Sequence, residues 1–186
     1  MLRTAFISGP LDASEEYFNT HYVPHLQTAI QKGDHFVMGP VAGIDTLSLH
    51  YLLSQNVDPK RITVFMAHFE YQNASWRKSY EELGVSVKEV GSLGTTTRDR
   101  DAAMTQASDY DILRYRSEEE AKELYGSIWW PRISNTEMNE RRRKGVTSQA
   151  YNLGGSVAPK LKDSDGKEGK ESVSTGKKLL KLLGKR

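Results

Sequence analysis

Apolar runs alternate with stretches of helical periodicity along the first 125 residues. Segments 3–8 (Arg3-Thr-Ala-Phe-Ile-Ser8), 36–38, 61–67, 85–90 and 108–115 read as strands. Between them, Phe18, Tyr22, Leu26 and Ile30 recur every four residues, and Ile44, Leu47 and Tyr51 recur with Leu49, Leu52 and Leu53 at helical spacing. Pro24 kinks or restarts the first of these helices. Further helices are expected over 75–83, 95–107 and 118–125, and residues 68–76 lose periodicity and read as a polar-aromatic loop. Strict alternation of this kind predicts an α/β fold, a Rossmann-like parallel sheet of about five strands with helices on both faces.

Trp129-Trp130-Pro131 breaks the alternation, and a last helix is expected over 134–144. Ser134 or Asn135 caps it, Glu137 lies in its first turn, and an Arg run lies at its basic end. That run either contacts phosphate or is a solvated helix end. Residues 146–172 are rich in Gly, Ser, Lys and Asp with few large apolar side chains, which predicts disorder. The expected organisation is one domain over 1–145 and a disordered basic tail over 146–186. Within the tail, residues 176–186 set four leucines among lysines, a short amphipathic helix that would suit an anionic membrane or an acidic partner.

Charge sharpens this division. Residues 1–145 carry 17 Lys and Arg against 20 Asp and Glu, a net of −3, whereas 146–186 carry 9 against 4, a net of +5. An acidic domain is a poor general nucleic-acid binder, so no specific nucleic-acid partner is expected for it. With no cysteine there is no disulfide, thiolate nucleophile or Cys-based zinc site. The spacing of His21 and His25 is interrupted by Pro24, so no metal and no other cofactor is expected. No apolar run approaches a membrane span and the N-terminus lacks a signal-like core, which points to a cytoplasmic protein.

Three turns carry candidate chemistry. Ser8-Gly9-Pro10 ends the first strand, and Gly39-Pro40-Val-Ala-Gly43 ends the second and leads into a helix opened by Ile44 and Asp45. The glycines either serve turn geometry alone or let the backbone approach an anion at a helix N-terminus. Thr95-Thr-Thr97-Arg98-Asp99-Arg100-Asp101 begins another helix and brings two guanidinium groups able to grip phosphate bidentately. Asp99 and Asp101 are candidates to pair with them or, in the alternative, to act as catalysts. In open parallel sheets ligands lie beyond the strand C-termini, where these turns converge.

On these residues the chain resembles a group of Rossmann-like nucleotide binders. Gly39-Pro-Val-Ala-Gly-Ile-Asp45 is similar to the glycine-Ile-Asp turn of the DNA-processing A proteins, in the SLOG group with the Lonely Guy phosphoribohydrolases. Phe6-Ile-Ser-Gly-Pro10, and Arg98-Asp-Arg-Asp101 leading into Ala107-Ser-Asp-Tyr-Asp-Ile-Leu113, are similar to nucleoside 2-deoxyribosyltransferases and nucleotide N-glycosidases. The resemblance implies a nucleoside or nucleotide ligand and cleavage of the base-to-sugar bond through a sugar cation stabilised by a carboxylate. It implies Ser8, Gly9, Pro10, Gly39, Pro40, Gly43, Asp45, Thr97, Arg98 and Arg100 as ligand-binding residues. The family carboxylate is a Glu on the helix after the last motif strand, which points here to Glu119, Glu120 or Glu123, although the glycines preceding it in the family are missing. A non-catalytic nucleotide sensor or scaffold whose tail docks a partner is the alternative, and a homo-oligomer is compatible with either.

Overall fold

A computed structural model describes residues 2–148 and 150 of the chain. Five strands, β1 (Thr4–Ser8), β2 (His35–Met38), β3 (Ile62–Ala67), β4 (Ser86–Val90) and β5 (Tyr110–Leu113), form one sheet in the order β4-β3-β2-β1-β5. All pairings are parallel; Ala5 lies opposite both Phe36 and Tyr110. This is the Rossmann-like α/β architecture that the alternating pattern predicts. The connecting helices are α1 (Glu15–His21), α2 (Val23–Lys32), α3 (Ile44–Ser54), α4 (His68–Tyr71), α5 (Ala74–Glu81), α6 (Thr97–Gln106), α7 (Glu118–Tyr125) and α8 (Asn135–Arg143).

The two faces of the sheet are packed unequally. Ile7, Phe36, Met38, Val64 and Met66 pack against Phe18, Tyr22, Leu26, Leu49 and Leu52 from α1, α2 and α3 in the larger core. On the opposite face Phe6, Val37 and Phe65 meet Met104 of α6, and α8 lies against α6 and β5. Alternate residues of each strand feed the two cores because side chains alternate across a strand. Pro24 restarts the first helical segment: it occupies the first turn of α2, where its missing N–H costs nothing.

Two local expectations shift. Residues 68–76 form α4 and the start of α5, because the Glu70 carboxylate accepts the Ala67 N–H at 2.8 Å and Asn73 Oδ1 accepts the Trp76 N–H at 3.2 Å. β5 begins at Tyr110, since the Ser108 hydroxyl donates back to the Met104 carbonyl at the end of α6 and the Asp109 carboxylate accepts the Thr4 N–H. Among the described residues no helix is long and apolar enough to cross a membrane. The tail expectations beyond residue 150, including the helix over 176–186, lie outside the described residues.

Candidate functional site

From β1 the chain travels outward through β2, β3 and β4, then returns along α6 to β5 on the other side of β1. The connections after β1 and β5 therefore diverge beyond their carboxyl ends, the usual ligand position in such sheets. The buried Tyr22 hydroxyl bridges the two strand ends, accepting the Arg114 N–H at 3.0 Å and donating to the Ser8 carbonyl at 2.9 Å. Burial raises the Tyr22 pKa, so this hydroxyl stays neutral. The Asp12 carboxylate accepts from Arg116 at 2.6 Å and from the Tyr125 hydroxyl at 2.7 Å, tying the turn after β1 to α7.

The expected turns meet at this edge. The Ile44 N–H donates to the Pro10 carbonyl at 3.2 Å. Gly43, at φ 75°, lies so close to that turn that a Cβ would fall 2.2 Å from the Pro10 oxygen. A Cβ on Gly39 would approach Asp45 Oδ2 to 2.9 Å and the Arg100 guanidinium carbon to 3.1 Å. Ser8, Gly9, Pro10, Gly39, Pro40, Gly43, Asp45 and Arg100 thus form one contiguous patch, packed mainly against itself. Both glycines are explained by close approach of protein groups, and the first N–H of α3 is already engaged.

Arg100 sits at the centre of this patch, 5 % exposed. Its Nη1 donates to Glu70 Oε1 at 2.6 Å, while Nε and Nη2 donate to Asp101 Oδ1 at 3.2 and 2.9 Å. Asp45 lies alongside and accepts the Gly39 N–H at 3.0 Å. Burial pushes the Asp45 pKa well above the usual carboxylate range; Arg100 opposes this, and the Asp101 and Glu70 charges add to it. Two buried carboxylates therefore pair with one guanidinium, and a third buried carboxyl group, Asp45, lies beside them with its pKa raised. Although burial disfavours the charged form of Arg100, Asp101 and Glu70 outweigh it and raise its pKa.

The remaining candidates separate from this patch. Thr97 and Arg98 lie in the first turn of α6, with Arg98 exposed. Asp99 is exposed and closes a capping box: its carboxylate accepts the N–H and hydroxyl of Thr96 at 2.8 and 2.7 Å, which lowers its pKa. Glu119 and Glu123 are exposed on α7. Glu120 pairs with Arg114, which lowers its pKa, and also accepts the Ser117 N–H. None of Glu119, Glu120, Glu123 and Asp99 shares a hydrogen bond with the patch among the described residues.

Two residues enter that the sequence pattern did not assign to the site, Glu70 and Asn139, and Asp101 returns from it. Glu70 comes from the supposed loop. Asn139, 2 % exposed on α8, donates through Nδ2 to Ser8 Oγ at 3.0 Å and lies 3.5 Å from Asp101 Oδ2. Asp101 has one oxygen fixed by Arg100 and the other turned toward Asn139, which itself bonds Ser8 at the carboxyl end of β1. A signal for Asn139 exists in the spacing: Thr136 and Asn139 are three apart on a helix with no apolar stripe, yet both are buried. Among the described residues no group of His, Cys, Asp or Glu is placed to hold a metal ion.

No family model, curated protein or solved structure matches this chain.

Proposed function

We propose that the protein binds a nucleoside or nucleoside monophosphate beyond the carboxyl ends of β1 and β5 and cleaves or transfers its N-glycosidic bond. Asp101 is the carboxylate that faces the sugar. What carries this reading is the uneven engagement of Asp101: Arg100 fixes Oδ1 through two bonds, while Oδ2 takes the long bond from Asn139 Nδ2 at 3.5 Å. A buried acceptor normally takes a full set of donors, so one held short is available to a developing positive charge. The resemblance of the Arg98–Asp101 segment and of the Ser8-Gly9-Pro10 turn to deoxyribosyltransferases and N-glycosidases supports the same chemistry.

In that reaction the C1′–N bond breaks and the base departs with the bonding electrons. Asp101 stabilises the sugar cation or forms an ester with C1′. Water then adds hydroxide to C1′ and its proton goes to the base, or a second base replaces the water and the sugar is transferred. Arg100 pairs with Asp101 Oδ1, and Asn139 sets the direction of the other oxygen. We place this activity in the cytoplasm, in keeping with a chain free of cysteine.

A binding-only reading has one observation in its favour: the Arg100–Asp101 pair is buried and would hold the edge of the sheet together without any turnover. Chromatography of free base after incubation with ribo- and deoxynucleoside monophosphates separates the two. Release of base that D101N abolishes while E119Q, E123Q and D99N retain it supports the proposal; no release from any substrate contradicts it.

A further inference from the structure

Four cations end α8, and three of them are neutralised. Arg141 pairs with Glu137 at 2.7 Å and Lys144 with Glu140 at 3.0 Å. Arg143 pairs with Asp111 at 2.8 Å and donates to the Thr105 and Ser108 carbonyls. Arg142 is different. Its one side-chain hydrogen bond among the described residues runs from Nη1 to Oδ1 of Asn139 at 2.7 Å, a neutral amide.

That amide has its direction set from the other end, because its Nδ2 donates to Ser8 Oγ. A single side-chain amide therefore separates the Arg142 guanidinium from Ser8 at the carboxyl end of β1. Side chains on a helix slant toward its N-terminus, which carries Arg142 back along α8 toward the site rather than away from it. The Asp99 carboxylate, whose pKa the Arg142 charge helps to lower, makes its bonds to Thr96 and forms no ion pair with Arg142 among the described residues. A guanidinium has five N–H donors, and one is used here.

Arg100, Arg114 and Arg116, also at this edge, are engaged: Glu70 and Asp101 take the charge of Arg100, which burial seals, Glu120 that of Arg114 and Asp12 that of Arg116. An incoming phosphate needs a cation whose charge is not already cancelled, in a fork geometry that matches its oxygens. We propose that Arg142 recognises the phosphate of a nucleoside monophosphate, so that the site prefers monophosphates to nucleosides, while Asn139 holds both Arg142 and the sugar-facing edge of the site in register. This inference rests on the nucleotide-binding reading above and adds which residue reads the phosphate.

The test is titration calorimetry of the full chain with ribo- and 2′-deoxynucleoside 5′-monophosphates and the matched nucleosides. Wild type is expected to bind its preferred monophosphate about tenfold or more tightly than the matched nucleoside, the scale of one charge-assisted bidentate contact. R142Q brings the ratio close to one through loss of monophosphate affinity alone, R142K restores part of it, and R141Q leaves it unchanged. Should R142Q retain the wild-type ratio, the assignment of Arg142 is overturned. Equal binding of both ligand classes by wild type overturns this inference and leaves the nucleotide-binding reading standing; binding of neither overturns both. A measurement on the unaltered protein guards against misfolded variants. Phenylglyoxal labelling of Arg142, mapped by peptide mass spectrometry, is suppressed by the monophosphate and not by the nucleoside, and undiminished labelling under saturating monophosphate overturns the assignment.

Discussion

Each end of the sheet buries an acid, and the two are built to opposite specifications. At the amino end, Asp34 is 2 % exposed and fully engaged. Its Oδ1 accepts the Arg3 N–H at 3.1 Å, its Oδ2 the Tyr110 hydroxyl at 2.7 Å, and its carbonyl two donors from Arg61. Burial, then the bond to Asp34, raises the Tyr110 pKa, so the donor stays protonated. One acid thereby ties the entrance of β2 to β1, β5 and the segment before β3. At the carboxyl end, Glu70 and Asp101 pair with a single guanidinium, Asp45 lies beside them with its pKa raised, and one oxygen of Asp101 takes a long bond of 3.5 Å from Asn139. A network that only fastens strands saturates its acceptors. One with surplus acid carries an electrostatic cost that a ligand can relieve, which is why the proposed chemistry is placed at the carboxyl end.

The sharpest way to break this contrast is to remove the shared cation. Arg100→Leu strands Glu70 and Asp101 in a buried site, and chemical denaturation is expected to show a loss of about 3–5 kcal/mol. Next comes Asp101→Asn, which keeps an acceptor for Arg100 but removes the charge; base release falls on the order of 10²–10³-fold, as for loss of one preorganised electrostatic partner, while the unfolding midpoint barely moves. At the amino end, Asp34→Asn has the reverse profile. It leaves a mismatched donor against either Arg3 N–H or Tyr110 and costs about 1–3 kcal/mol of stability, with base release per folded molecule unchanged.

The smallest effect is a slope. Asp45 has a pKa raised in the folded state above the ordinary carboxylate value of 3.8, so the folded protein binds the extra proton between those two values. Its contribution to stability is full below the ordinary carboxylate value and is lost as pH climbs toward and through the raised folded value. Asp45→Asn keeps an acceptor for the Gly39 N–H and has no proton to lose. The difference in unfolding free energy between D45N and wild type is therefore expected to grow in favour of D45N as pH rises from about 4. Stability curves that stay parallel across that range would show that Asp45 is not the protonated member of the cluster.

The fold was legible because its signals are local and repeated. Apolar strand runs, the four-residue recurrence from Phe18 to Ile30 and the turns at Gly9 and Gly39 each carry their own periodicity or backbone chemistry. The meeting of the Ser8-Gly9-Pro10 and Gly39–Gly43 turns was legible for the same reason, since parallel topology puts every strand's carboxyl end on one edge. Partner choice was not. Whether Arg100 meets a ligand or Glu70 depends on a contact across 30 residues, and Glu70 lay in a segment whose helix is set by a single side-chain bond to Ala67. Asn139 was hidden because a polar helix with an Arg run looks like a solvated helix end until packing on α6 buries one side of it. The Glu-rich start of α7 offered catalytic candidates by position, and the contact it could not show is that of Glu120 with the Ser117 N–H and Arg114.

The most direct measurement is a crystal structure of the D101N variant, which binds without turning over, grown with the preferred nucleoside monophosphate. The sugar C1′ is expected within about 3–3.5 Å of the residue 101 side chain, the separation of a near-attack arrangement, between Ser8 and Asn139. A sugar lodged instead against Glu119 or Glu123 of α7, or a ligand at the amino end beside Asp34, would contradict the account.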